Sequence, residues 1–118
     1  MKKADVAWAA GVFEGEGCWY YHRRGKVRRI CAQVQMTDRD VLDRLKEAVE
    51  MGRVSGPNGP YGTSKLPRYT FIVSGRANTE KLFQLFSPWL SPRRSMQGQA
   101  VLDKWDNDNH IFSTGVAR

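Results

Sequence analysis

Cysteine is scarce in this 118-residue chain, with only Cys18 and Cys31, and no Cys/His cluster has the spacing of a zinc site. The two histidines, His22 and His110, stand apart, so a metal-knotted fold is excluded. Both cysteines fall in segments that read as neighbouring strands. A disulfide between them is possible in principle, but without a secretion signal they read as reduced thiols of a cytoplasmic protein. Long apolar runs are also missing: none approaches the roughly 18 residues of a membrane span, so no membrane association by spanning is expected. The N-terminal Met1-Lys2-Lys3-Ala4-Asp5 reaches an acid and a helical pattern too soon for a signal peptide. Acids are in deficit, 12 Asp and Glu against 19 Lys and Arg, a net charge of +7. Such an excess on a small chain favours a polyanionic partner, nucleic acid first and an anionic membrane surface second.

What is present fits a single domain, residues 1–118, with an ordered core expected over about 5–106. Residues 5–16 read as a helix stopped at Gly17 in the manner of a C-terminal cap. Cys18 to His22 and Val27 to Met36 read as the two strands of a hairpin, and in the second Ile30, Ala32, Val34 and Met36 alternate with Arg29, Cys31, Gln33 and Gln35. Thr37 suits an N-cap with Asp40 three positions on, and apolar residues at helical spacing lead to a stop at Gly52. A second hairpin follows from Arg53 to Gly75, its connection from Gly56 to Gly62 too rich in Gly and Pro for regular structure. A third helix is expected from Asn78 or Thr79. A fourth starts at Ser91-Pro92, with Ser as cap and Pro in the first turn, and reaches about Asp106, leaving a loosely held tail. The fold class is therefore α+β.

Two features of the segment Ala9-Ala10-Gly11-Val12-Phe13-Glu14-Gly15-Glu16-Gly17 are costly on their face. Gly11 and Gly15 each lose roughly 1 kcal/mol in a helix relative to alanine. Close approach of a second helix over Ala7, Ala10, Gly11 and Gly15 would offset that cost. Glu14 and Glu16 lie at the negative end of the helix dipole, where a cation would reverse the sign. A solvated helix end with two surface glutamates is the plain alternative.

This segment resembles the LAGLIDADG motif, with Glu in place of both Asp, residue for residue from Ala9 to Gly17. The segments Gln33 to Asp40 and Ser87-Pro88-Trp89-Leu90 agree with the same family, and the resemblance covers about residues 5–105. It implies an αββαββα homing-endonuclease fold whose saddle-shaped antiparallel sheet lies in the DNA major groove. It also implies a homodimer paired through the motif helices, acting on double-stranded DNA at a pseudo-palindromic site. Glu16 would be the catalytic ligand of a divalent cation, Mg²⁺ or another such as Mn²⁺, and Glu14 a structural acid holding the end of its own helix. Arg93, with Arg94 beside it, matches the basic residue that assists catalysis. Gln35 and Asp38 are further candidates near the metal. Strand register then assigns Tyr20, His22, Arg24, Lys26, Arg28, Arg29, Gln33, Gln35, Arg68 and Thr70 to DNA, with Cys31 on the same face and Trp19 and Tyr21 in the core.

The activity so implied is site-specific, metal-dependent phosphodiester hydrolysis giving a staggered cut. The alternative is a catalytically silent DNA- or RNA-binding protein of the same fold, a transcriptional regulator or an intron maturase. An unrelated basic RNA-binding domain would account for the charge but not for the glycine-acid helix.

Overall fold

In the computed structural model, residues 1–60, 62–63 and 65–114 are described, those from 109 to 114 by backbone only. The tail 115–118 and the side chain of His110 lie outside them. The order is α1 (Lys3–Glu16), β1 (Gly17–Arg24), β2 (Val27–Met36), α2 (Arg39–Val49), β3 (Arg53–Asn58), β4 (Arg68–Ser74), α3 (Arg76–Phe86), a 3-10 turn (Ser87–Trp89) and α4 (Pro92–Thr114). The four strands form one antiparallel sheet in the order β1-β2-β4-β3. The expected α+β architecture of helix and hairpin, repeated and closed by two helices, is the one observed.

Helices cover one face of the sheet. The inward residues of the strands, Trp19, Ile30, Ala32, Val34, Phe71 and Val73, are buried against Val6, Ala9, Ala10 and Phe13 of α1 and the apolar stripes of α2 and α3. Phe13 sits at the centre, its ring 4.6 Å from Trp19 and 5.5 Å from Phe86. It fastens the motif helix to the first strand and to the end of α3 in one contact. Among the described residues no helix is long and apolar enough to cross a membrane.

Several boundaries differ from the sequence reading, each for a local reason. Gly17 ends α1 with an extended backbone, φ −86° and ψ 166°, so it does not act as a left-handed cap. It must be glycine because a Cβ there would lie 2.3–2.6 Å from the Phe13 ring. The cap of α2 is Asp38, not Thr37, and it makes no side-chain capping bond. That helix ends at Val49 because Glu50 turns left-handed at φ 55°, before Gly52 is reached. Strand β3 continues through Gly56 and Pro57 to Asn58, with a pairing irregularity after Ser55. Helix α3 begins at Arg76, Gly75 taking φ 94° as its cap, which places Thr79 inside the helix and fully buried.

The fourth helix runs past Asp106 to Thr114. Side chains from its second half explain the extension. Trp105 packs edge-on against Tyr21, the Tyr21 hydroxyl donates to the Asp108 carboxylate, and Arg76 grips Asp106 through two bonds of 3.0 and 2.9 Å.

Gly17→Ala should lower stability by about 1–3 kcal/mol, the scale of an overpacked core. Denaturant unfolding of the two proteins checks it; an unchanged midpoint would mean that Phe13 moves aside freely.

Candidate nucleic-acid interface and carboxylate site

Because side chains alternate along a strand, the sheet has a second face that the helices leave open. Register places its residues in rows across the strands. One row runs Cys18, Gln33, Ile72, Arg53; the next runs Tyr20, Cys31, Ser74; then come His22 beside Arg29 and Arg24 beside Val27. In the other direction lie Gln35, Thr70 and Ser55, then Arg68 beside Asn58. Tyr20 is 38% exposed and stacks on His22, their ring centroids 6.2 Å apart. His22, Arg24, Arg29, Gln35 and Arg68 are exposed, while Gln33 and Thr70 are half-buried. Lys26 is exposed in the β1–β2 turn beside Gly25, whose φ of 62° suits glycine. None of the four strands contains an aspartate or glutamate.

The cations of the first hairpin are divided between the two faces. Arg28 pairs in register with Arg23, on the helix side of the sheet. Its guanidinium lies 3.5 Å over the Trp105 ring and donates to the Trp105 carbonyl at 2.6 Å. Arg23 lies 3.6 Å from the Asp108 carboxylate. The assignment of Arg28 to the nucleic-acid surface is therefore corrected: strand parity turns it toward α4, where it holds that helix down. Arg53, on the outer strand, is exposed and shares the open face, and it was not among the residues assigned from the sequence. Its only sequence signal is the short alternation Arg53-Val54-Ser55, in which Val54 is the half-buried member.

At the other end of the open face, α1 delivers its acids immediately before β1. Glu16 is exposed and, among the described residues, makes no hydrogen bond or ion pair. Glu14 is fully engaged. One carboxylate oxygen accepts from the Ser91 backbone N–H at 2.8 Å and the other from the Ser91 hydroxyl at 2.8 Å. Ser91 Oγ in turn accepts from the Arg94 N–H at 3.2 Å, so the expected serine cap of α4 is made. Arg94 closes the circuit by donating from Nε to the Glu14 carbonyl at 2.9 Å. Glu14 thus holds the start of α4 rather than the end of its own helix. The cation at the end of α1 is Arg94, which offsets the helix dipole there.

The bond from the Ser91 backbone, then that from its hydroxyl, then the charges of Arg94 and Arg93 hold the Glu14 carboxyl below its ordinary value of 4.5. Arg93, one residue into α4 from Pro92, is exposed and makes no hydrogen bond or ion pair among the described residues.

The dipole end and the donor set decide how a metal could fit. Among the described residues no group of three or more His, Cys, Asp or Glu side chains is assembled to hold a cation. Glu16 offers one free, hard carboxylate; Asp38 and Gln35 are exposed but belong to no such group. On α1, Gly11 and Gly15 are exposed and a Cβ at either would meet nothing within 4 Å, and Ala7 is half-buried. Ala10 is different: it is fully buried in the chain's own core. Its expected place in a dimer interface is corrected, because it shares the face of Val6 and Phe13, three or four residues away on the helix.

No family model matches this sequence, and no curated protein matches it. Solved structures do. The homing endonuclease I-CvuI, in complex with the I-CreI target in the presence of Mg and with the DNA not cleaved, is similar over 86% of this chain with a TM-score of 0.68 and 19% identity. The LAGLIDADG meganuclease I-AabMI, bound to uncleaved DNA, is similar over 93% with a TM-score of 0.66 and 16% identity. This fold is that of the LAGLIDADG homing endonucleases. A third such structure, the homing endonuclease I-TnaI, matches over 94% of this chain with a TM-score of 0.66 and 19% identity. The chain spans 65% of I-CvuI and 40% of I-AabMI. In this chain Glu16 is the last residue of α1 and is followed directly by β1.

Two outcomes are expected from this geometry. Because the Glu14 value is depressed on folding, its contribution is fully present at neutral pH and is lost as pH falls from about 4.5 through the lower folded-state value. Glu14→Gln should therefore melt below the parent at pH 7, with the gap closing below pH 4.5; a gap independent of pH would sink this account. Arg28→Ala should cost about 0.5–2 kcal/mol of stability through the lost cation–π contact. Arg29→Ala should leave stability within about 0.5 kcal/mol, as an exposed substitution does. Thermal unfolding of both variants separates them.

Proposed function

We propose that the chain is one subunit of a homodimeric, divalent-metal-dependent endonuclease that makes a staggered cut in double-stranded DNA at a pseudo-palindromic site. The observation that carries this reading is an exposed carboxylate, Glu16, without a hydrogen bond or ion pair among the described residues, immediately before the first strand of a sheet whose open face has arginines, amides and hydroxyls but no acid. A face of that composition suits a polyanion in the major groove, where arginine pairs with guanine and glutamine with adenine. The homing endonucleases of the same fold, I-CvuI and I-AabMI, are DNA complexes, which supports the partner.

Pairing through α1 is supported by an imbalance within the chain. Gly11 and Gly15 carry the helix cost of glycine, about 1 kcal/mol each, and among the described residues a Cβ at either would meet nothing within 4 Å. A second α1 laid along Ala7, Gly11 and Gly15 would use that space and bring two Glu16 carboxylates together. Those two would hold Mg²⁺ or Mn²⁺ through hard oxygen donors. The chemistry such a cation would supply to the pair of Glu16 carboxylates is charge stabilisation at the phosphodiester and a more acidic water. Glu14 does not compete for it, since both of its oxygens are occupied by Ser91. Arg93, held one residue from the Glu14–Ser91–Arg94 circuit, places a fixed positive charge near the phosphate. Arg24, Lys26, Arg29, Arg53 and Arg68 bind and orient the duplex.

Glu16→Gln tests the assignment. Incubation with a randomised duplex library and Mg²⁺ should give a discrete staggered cut with the parent and none with the variant. Metal-free duplex affinity should change by less than about 0.5 kcal/mol. Cutting by Glu16→Gln at the parental rate refutes the site, and binding without cutting by the parent would make the chain a silent DNA-binding protein of this fold.

A further inference from the structure

On the open face two apolar side chains, Ile72 and Cys31, have polar partners in their rows and share a groove that Ile30 and Trp105 also line. Ile72, half-buried, lies in its row between Gln33 of β2 and Arg53 of β3. Diagonally next to it, Cys31 lies between Tyr20 and Ser74 and is only 7% exposed. Ile72 and Cys31 line the same groove, of about 590 Å³, whose wall includes Arg29, Gln33 and Arg53. Burial, with the nearby Cys18 thiol second, pushes the Cys31 thiol above its ordinary value. It is therefore an uncharged thiol that packs as a small hydrophobe.

We infer that Ile72 and Cys31 form the floor of a pocket for the C5-methyl group of a pyrimidine exposed in the major groove. This rests on the DNA-binding reading above and names what that surface would recognise. The major-groove edges of the bases carry hydrogen-bonding groups, and the one apolar feature among them is the thymine methyl. 5-Methylcytosine carries the same group at the same ring position. An apolar floor between a glutamine and an arginine is complementary to that edge, with Gln33 able to reach a neighbouring adenine and Arg53 a guanine. A β-branched residue also suits a strand for packing alone. That role would alter stability and leave base preference unmoved.

The test uses the whole chain and a duplex selected from a randomised library in metal-free buffer. Each thymine of the selected duplex is replaced in turn by uracil, which removes the methyl and keeps every hydrogen-bonding group. At the thymine position the pair is also changed to cytosine and to 5-methylcytosine. Uracil should weaken binding about fourfold at one position in each half-site, the worth of one buried methyl-sized group. Sensitivity to uracil alone assigns thymine as the occupant; tighter binding of 5-methylcytosine than of cytosine there assigns either methylated pyrimidine. In Ile72→Ala the thymine-to-uracil ratio should fall close to one, and Cys31→Ala gives the same readout should the first variant fail to fold. A ratio that stays near four in these variants, or a selected duplex in which no position responds, overturns the pocket. Failure to select any duplex refutes the DNA-binding reading beneath it, at a step before any base is exchanged.

Discussion

Two helix ends meet at Glu14, and the rest of the site depends on how they are joined. The carboxylate of Glu14 takes two bonds from Ser91 at the start of α4, and Arg94 of that helix returns one to the Glu14 carbonyl. Each end supplies what the other lacks: free N–H groups at an N-terminus want an anion, and free carbonyls at a C-terminus want a cation. The exchange fixes Glu16, two residues beyond Glu14, relative to Arg93, one residue before Arg94. It ties together the two helix ends that carry the acidic and the basic residue proposed to act on one phosphate.

The same economy appears on the sheet. The first hairpin carries its cations at consecutive positions, and strand alternation sends them to opposite sides. Those on the helix side are absorbed by α4: Arg28 by the Trp105 ring and carbonyl, Arg23 by Asp108. Arg76 at the start of α3 takes Asp106, which holds that carboxyl below its usual range. The acids of α4 are thus kept with the helix layer. The open face keeps an unopposed positive character, as a surface for a polyanion requires.

Much of this was legible in the sequence. The period-2 pattern from Arg29 to Met36 and the Ser91-Pro92 start of α4 have purely local causes, and both are seen in the structure. What failed to read was set by tertiary contact. Nothing local marks Glu50 as a left-handed helix stop. Gly17 looks like a cap but is glycine because of the Phe13 ring. Arg28 belongs to a run of cations that looks like one surface until strand parity and Trp105 are known. Ala10 belongs to a run of small residues that looks like one stripe until the helix is turned to bury Val6 and Phe13. In each case composition identified the group correctly, while the assignment to a face needed a partner distant in sequence.

A free carboxylate is the reason that pairing matters for the proposed chemistry. Glu14 and Glu16 are chemically alike and two residues apart, yet the circuit with Ser91 and Arg94 consumes one and leaves the other without a hydrogen bond or ion pair among the described residues. A single carboxylate is a poor host for a divalent cation, which takes about six oxygen ligands. Further carboxylates on the same helix end would add to the charge at the negative pole of α1, and one arginine already serves to offset it. A second copy avoids that cost, because the second carboxylate arrives on a different helix with its own arginine. Under that reading the glycines at 11 and 15 and the acid at 16 answer one requirement: two helix ends must come close enough to share a cation.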